Sequence, residues 1–298
     1  MAALRSGNDL KEMNVALNQG LSEILHWTNC NRLYLNMEKT ISMCLPHKSG
    51  NLSITTCING RPLRKENDNV DSVKFLGIHI DSQLKWRKQV SSLAKSLSQK
   101  TAVLWKLSKF LPSQILMIIY NAIIHPHLTY CASIWGCGNL KQLFTIQKSA
   151  VRAIGGKSRL AHTDPLFHKF GILKVQDIVT HQLRIDGYMA FHNKLPLKIN
   201  SYLVKTSLIH NYCTRKTKFA LAAQHSAHSK KSVVSRISSE WNLFAEELES
   251  VDISLATFKK KSKLLFLNEY GNFTCMDSNC QNCNLLQYLH KAMPSLCK

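Results

Sequence analysis

The chain has 298 residues, 45% of them apolar, with 39 Lys and Arg against 18 Asp and Glu for a formal charge of +21. That length holds one large or two ordinary domains and the apolar share is that of a globular protein, which excludes a low-complexity or fibrous chain. The imbalance of charge excludes an ordinary mixed-sign surface and points to a polyanionic partner, nucleic acid being the commonest.

The charge is also concentrated. No acid occurs from Ser82 to Thr163, where twelve Lys or Arg fall, nor from Gly187 to Ser239, where nine fall. No apolar block opens the chain, so no secretory signal is read there. Ile115 to Ile124, the most apolar stretch, is too short to span a bilayer. The expectation is an intracellular protein, cytoplasmic or nuclear and not secreted, with no membrane contact. Its ten cysteines are then read as thiols or metal ligands. Cys30, Cys44, Cys57, Cys131 and Cys137 fall singly in apolar patterns and are expected in the core.

In chain order, Asp9 to Asn31 reads as one amphipathic helix. Leu10, Met13, Leu17, Leu21, Ile24 and Leu25 form its stripe, Asn14, Asn18 and Glu23 lie off it, and Asn8 or Asp9 caps it. Thr40 to Leu45 and Leu52 to Ile58 have strand character, and Asn59-Gly60 is a tight-turn signal. Arg64 to Asp71 reads as a polar loop. Val73 to Asp81 reads as a strand broken at Gly77, where a backbone can bend or approach a ligand closely.

Helical spacing takes over at Leu84. Trp86, Val90, Leu93, Leu97, Leu104 and Leu107 share a stripe up to Pro112, with Lys88, Lys95, Lys106 and Lys109 off it. Ser113 is expected to cap a helix Gln114 to Ile124, and Pro126 to end or kink it. Leu128 to Trp135 and Leu143 to Ile154 continue the pattern. Gly155 to Ala161 reads as a linker. Further helices are expected over 165–170, 175–193, 196–204, 235–249 and 254–268, with a polar loop over 208–231. The fold class expected is an α+β N-terminal part, a helix plus short antiparallel strands, followed by a mostly α-helical region. The expected division is 1–83, 84–156, 157–270 and a Cys/His tail 271–298.

Polymerase chemistry places two divalent cations on paired aspartates. The nine aspartates of this sequence occur singly, with no Asp-Asp pair. No phosphate-cradling glycine loop and no convincing Ser-His-Asp or Cys-His set is present. The residues alone speak for binding rather than catalysis.

Several ordered motifs resemble a known family. Leu33-Tyr34-Leu35-Asn36-Met37-Glu38-Lys39-Thr40 is similar to the "LN–KT" segment that follows the catalytic hairpin in reverse transcriptases of non-LTR (LINE-type) retrotransposons. Phe75-Leu76-Gly77 resembles their primer grip. Tyr120, Pro126, Leu128, Tyr130 and Trp135 resemble a "Y…P-x-L-x-Y…W" helical segment, and Gln147 to Ile154 a "Q-x-x-A-V-R-x-I" segment. Gly171-Ile172-Leu173, Tyr212-x-Thr214-Arg215, Trp241-Asn242 and Phe258-Lys259 continue in family order, over about residues 10 to 270. The resemblance implies the palm edge, primer grip, thumb and C-terminal region of an RNA-directed DNA polymerase. The catalytic aspartates and their Mg are expected upstream of Met1, so this chain alone is expected to be inactive as a polymerase.

It further implies RNA, DNA or an RNA–DNA hybrid as partner, met by Phe75, Leu76 and Gly77 and by Lys85, Arg87, Lys88, Lys95, Lys106 and Lys109. Lys39 would stand as a general acid near a leaving pyrophosphate, the plainer reading being a surface lysine at a helix end. In the tail, Cys280, Cys283, His290 and Cys297 offer four ligands of the kind zinc takes tetrahedrally, against free thiols on a short helix. Two alternatives stand beside this reading: a non-enzymatic basic helical scaffold for an acidic protein, and a decaying element fragment without function.

Overall fold

The structure, a computed structural model, describes residues 3–4, 6–7, 9–43, 45, 56–58, 61–65, 72–206, 219–220, 227–244 and 253–271. It is mixed α+β and mostly helical, 63% of it helix. The chain divides into two compact units, Met1–Gln89 and Val90–Lys298.

The first unit opens with α1, Leu10–Cys30, whose N-cap Asp9 accepts the Lys11 amide at 2.8 Å. Met13, Leu17, Leu21, Ile24 and Leu25 of its apolar stripe are only half-buried. Asn18, expected on the solvent side, instead accepts the Cys57 amide at 3.0 Å, so a polar side chain ties the helix to the next strand. The strands are short. β1 (Ile41–Ser42) pairs in parallel with β4 (Arg64–Lys65), and β2 (Cys57–Ile58) antiparallel with β3 (Arg61–Pro62). Pairing thus claims Arg64 and Lys65 from the expected loop. The Asn59-Gly60 turn lies outside the described residues, as does most of the expected strand from Leu52.

Val73 to Ile80 is not one broken strand. It is a hairpin of β5 (Val73–Phe75) and β6 (Ile78–Ile80), with Phe75 opposite Ile78. Leu76 and Gly77 make the two-residue turn at φ 46° and 85°. Two central residues at positive φ are the geometry that matches strand twist in a tight hairpin, and Gly77 is what allows it. The glycine reverses the chain rather than bending a strand. Asp81 then fixes the exit: its carboxylate accepts the Lys85 and Trp86 amides at 2.8 and 2.7 Å, and its carbonyl the Leu84 amide at 2.9 Å.

Helix α2 (Arg87–Leu107) starts there and runs into the second unit. It buries Val90, Leu93, Ala94, Leu97 and Leu104. After it come α3 (Ser113–Ile123), α4 (His125–Thr129), α5 (Ala132–Trp135), α6 (Lys141–Ile154), α7 (Asp164–Phe170), α8 (Val175–Phe191), α9 (Leu197–Asn200), α10 (Ala227–Lys231), α11 (Val233–Phe244) and α12 (Leu255–Gly271). Pro112, not Ser113, is the N-cap of α3, and Ser113 is its first helical residue. Pro126 sits in the first turn of α4, where its missing N–H costs nothing. A left-handed Cys131 at φ 50° separates α4 from α5 within the expected third helix. Phe219, within the expected polar loop, bridges Lys205 and is buried.

Helix α8 is the axis of this unit, packed by α4, α5, α6, α11 and α12. Gly187 allows a close approach of α11: a Cβ there would lie 2.9 Å from the Trp241 ring. Trp241 stacks between Phe191 at 5.5 Å and Phe258 at 6.1 Å, with Phe219 tilted beside it. Arg184 lies between the Phe244 and Phe266 rings, 4.0 and 4.4 Å from their centroids, and its Nε meets Glu240 at 2.8 Å. Gln147 of α6 joins three elements. Its amide donates to the Tyr120 hydroxyl and Leu173 carbonyl at 3.0 and 2.8 Å, and its oxygen accepts the Val175 amide at 2.8 Å, a donor the start of α8 would otherwise leave unpaired.

The stretch expected as a linker, 155–161, is therefore a tight connection within one packed unit, where Arg152 Nε donates to the Ala161 carbonyl at 2.8 Å. The cysteines also depart from expectation. Cys30 is exposed, and Cys57, Cys131 and Cys137 are half-buried rather than core. Cys44 lies outside the described residues.

Candidate nucleic-acid interface

In the first unit the candidate surface is built on the hairpin. The tip is exposed: Lys74, Phe75, Leu76 and Gly77 all face solvent, while Ile78 is buried. Leu76 is 75% exposed and holds a left-handed φ that costs a non-glycine residue roughly 1 kcal/mol. An apolar side chain held strained and in water is unusual, and strain of this kind gathers where a ligand is met. Cations surround the hairpin. Burial first, then the charges of Lys74 and Lys88, lowers the pKa of the His79 ring. Its amide donates to Gln89 Oε1 at 3.0 Å, tying the second strand to the start of α2. Lys85, Arg87 and Lys88 are all exposed there.

In the second unit Lys95, Lys106 and Lys109 are exposed on or just beyond α2, opposite its buried stripe. Lys100, on the same helix, donates to His127 Nε2 of the short α4. Burial lowers the Lys100 pKa, and burial together with the Lys100 charge lowers that of His127. Phe110, in the turn after α2, is 82% exposed.

Lys39 is exposed in a turn closed by Asn36, whose carbonyl and side chain both accept the Lys39 amide, at 3.2 and 3.1 Å. It is a surface lysine at a turn, and nothing described around it assembles an active site. Three of the aspartates are engaged elsewhere. Asp81 spends both carboxylate oxygens on backbone amides. Asp164 meets Lys174 at 3.2 Å, and Asp177 accepts the Tyr270 hydroxyl while burial raises its pKa. Among the described residues no group of three His, Cys, Asp or Glu is placed to hold a metal ion. These donors do not fit the Mg site of a polymerase. Cys280, Cys283, His290 and Cys297 lie outside the described residues, as do Tyr212, Thr214 and Arg215.

Two features escaped the sequence. One is a cleft of about 430 Å³ lined by Phe144, Asp164, Lys174, Gln176, Asp177, Glu269 and Tyr270. Lys174 sits 4.4 Å from the Tyr270 ring centroid across it. Its members come from α6, α7, α8, α12 and the α7–α8 connection, so no local pattern announces it. The other is Phe110, whose signal was on the page as an aromatic next to Lys109.

Most motif positions of the helical region are buried, although Tyr130 is 52% exposed. Tyr120, Leu128, Trp135, Gln147, Ala150, Val151, Ile154, Ile172, Trp241 and Phe258 are buried. Asn242 pins Phe219 by accepting its amide at 2.8 Å and donating to its carbonyl at 2.9 Å. These residues build the helical framework, while the exposed lysines carry its surface chemistry.

No family model matches the chain, and no curated protein or solved structure gives a significant match. Among the described residues, no helix is long and apolar enough to cross a membrane.

Proposed function

We propose that this chain is a nucleic-acid-binding protein, the palm-edge, primer-grip and thumb-like part of a LINE-type RNA-directed DNA polymerase. On this reading it holds RNA, DNA or their hybrid and contributes no catalytic aspartates. The observation that carries the reading is electrostatic. Even with every acid paired, 39 − 18 = 21 cations remain. Several of them are exposed on or beside α2, in a stretch from Ser82 to Thr163 that contains no acid. A surface of that kind attracts phosphate regardless of sequence and releases counterions on binding. The resemblance supplies the more specific identity, and the hairpin with a strained apolar tip suits a backbone grip.

Salt titration tests it. Phosphate contacts by Lys95, Lys106 and Lys109 alone contribute about −3 to the log–log salt slope, so a fourfold rise in salt weakens binding roughly 40-fold. Replacing the three by Gln flattens the slope by about 3 units, whatever the probe sequence. Affinity for duplex or hybrid that hardly changes across that range refutes the reading. Binding to an acidic protein that excess nucleic acid leaves undisturbed would favour a protein scaffold instead.

A further inference from the structure

Resting on that reading, one side chain on the second unit has no use in a surface that grips only backbone. Phe110 is 82% exposed, and Val103, two helical turns before it on α2, is 48% exposed. A single exposed apolar residue is ordinary. The setting of Phe110 is not, because the turn that presents it is closed by backbone hydrogen bonds. Ser108 N–H donates to the Leu104 carbonyl at 2.9 Å, and the amides of Phe110 and Leu111 both donate to Leu107 at 3.0 Å. Ser108 Oγ adds a bond to the Trp105 carbonyl at 2.9 Å. The backbone that carries the ring is therefore a hydrogen-bonded turn and not a frayed helix end.

Its neighbours complete the chemistry. Lys106, one turn back, and Lys109, next in sequence, are both exposed. Cations at a helix C-terminus are favoured by the dipole alone and need no ligand to explain them. The exposed aromatic ring gains nothing from the dipole. A flat apolar ring close in sequence to two exposed lysines is complementary to one chemical unit above others, a nucleobase whose flanking phosphates the lysines can reach. In a paired helix both faces of an internal base are already stacked, so the ring can engage only an unpaired base.

We infer that Phe110 is a stacking platform for an unpaired base of a single-stranded nucleic acid, with Lys106 and Lys109 holding the adjacent phosphates.

The test compares two labelled probes of one mixed sequence, about 20 nucleotides long, as a single strand and as a blunt duplex, by fluorescence anisotropy with the full chain. Phe110→Ala should weaken single-strand binding about tenfold and duplex binding less than twofold, with the salt slope unchanged. Phe110→Trp should retain single-strand affinity, and unchanged circular dichroism of both variants guards against unfolding. Equal losses on both probes, or no loss on either, overturn the inference while leaving nucleic-acid binding in place. If the wild-type chain shows no salt-sensitive binding to either probe, the reading beneath it falls and the stacking platform with it.

Discussion

The two units are built on different physics. Among the described residues of the first, Ile58, Leu63, Ile78 and Trp86 are the buried large apolar side chains, and its strands are two or three residues long. Its order rests on local hydrogen bonds: the Asp9 cap, Asn18 on the Cys57 amide, the hairpin ladder and the Asp81 brace. Two-stranded ribbons of this length are marginal without a packed face. In the second unit Tyr120, Trp135, Phe167, Phe219, Trp241, Phe244 and Phe258 are all fully buried around α8. A turn can be re-aimed by one substitution, whereas an aromatic core fixes every helix at once. The first unit thus presents an adaptable tip and the second a rigid platform.

The largest effect should come from breaking that platform. Trp241→Ala removes the ring that fills the space over Gly187 and stacks on Phe191 and Phe258. Truncating a buried tryptophan costs about 3–5 kcal/mol. Urea unfolding followed by circular dichroism should show that loss, with hydrogen-exchange protection falling along α8 and α11. A loss below about 1 kcal/mol would mean that the core does not depend on this cluster as described.

The second effect is a pH dependence seated in the same unit. His181 lies against Ser262, 3.1 Å from its Nδ1, and edge-on to Phe266. Burial first, then Arg184, Lys263, Lys259 and His125, pushes its pKa down to about 4. The folded value is below the ordinary 6.5, so the unfolded chain takes the proton first as pH falls. The stability His181 contributes is complete above about pH 6.5 and is lost progressively toward pH 4, on the order of 3 kcal/mol. His181→Asn should flatten that part of the stability–pH curve. His125, also lowered by burial and by Lys263, leaves a smaller slope of the same sign. Wild-type stability that stays level between pH 7 and 4.5 would contradict the arrangement.

The same contrast explains what was legible in the sequence. Apolar period 3.6 places α1, α6 and α8 within a residue or two of their observed ends, because their stripes are long and local chemistry agrees with packing. Gly77 was visible as a breaker, yet hairpin and bent strand share the same apolar residues. What separates them is the positive φ of Leu76, a choice no leucine announces. The linker expected at Gly155-Gly156 failed for the opposite reason. Small residues mark a loop equally well between domains or within one, and the decision rests with Gln147, whose partners lie 26 to 28 residues away. The exposed lysines were legible individually, since residues off an apolar stripe face solvent. The cleft around Tyr270 was not, because its lining is collected from separated elements.

The smallest effect is the most discriminating for the first unit. Leu76→Asn gives the hairpin the Asn-Gly pair that a turn with two positive φ angles prefers. It relieves a left-handed leucine, and the hairpin should gain about 0.5–1 kcal/mol, read as slower exchange of the Val73, Phe75, Ile78 and Ile80 amides. If Leu76 served only to close the turn, binding would be unchanged or slightly better. If it is the apolar tip of a backbone grip, the better-ordered variant should bind nucleic acid several-fold less tightly, at an unchanged salt slope because no cation is removed. Stability and affinity moving in opposite directions is the signature of strain retained for contact. Both rising together would reduce the hairpin to a connector, and nucleic-acid binding would then rest on the lysines and Phe110 alone.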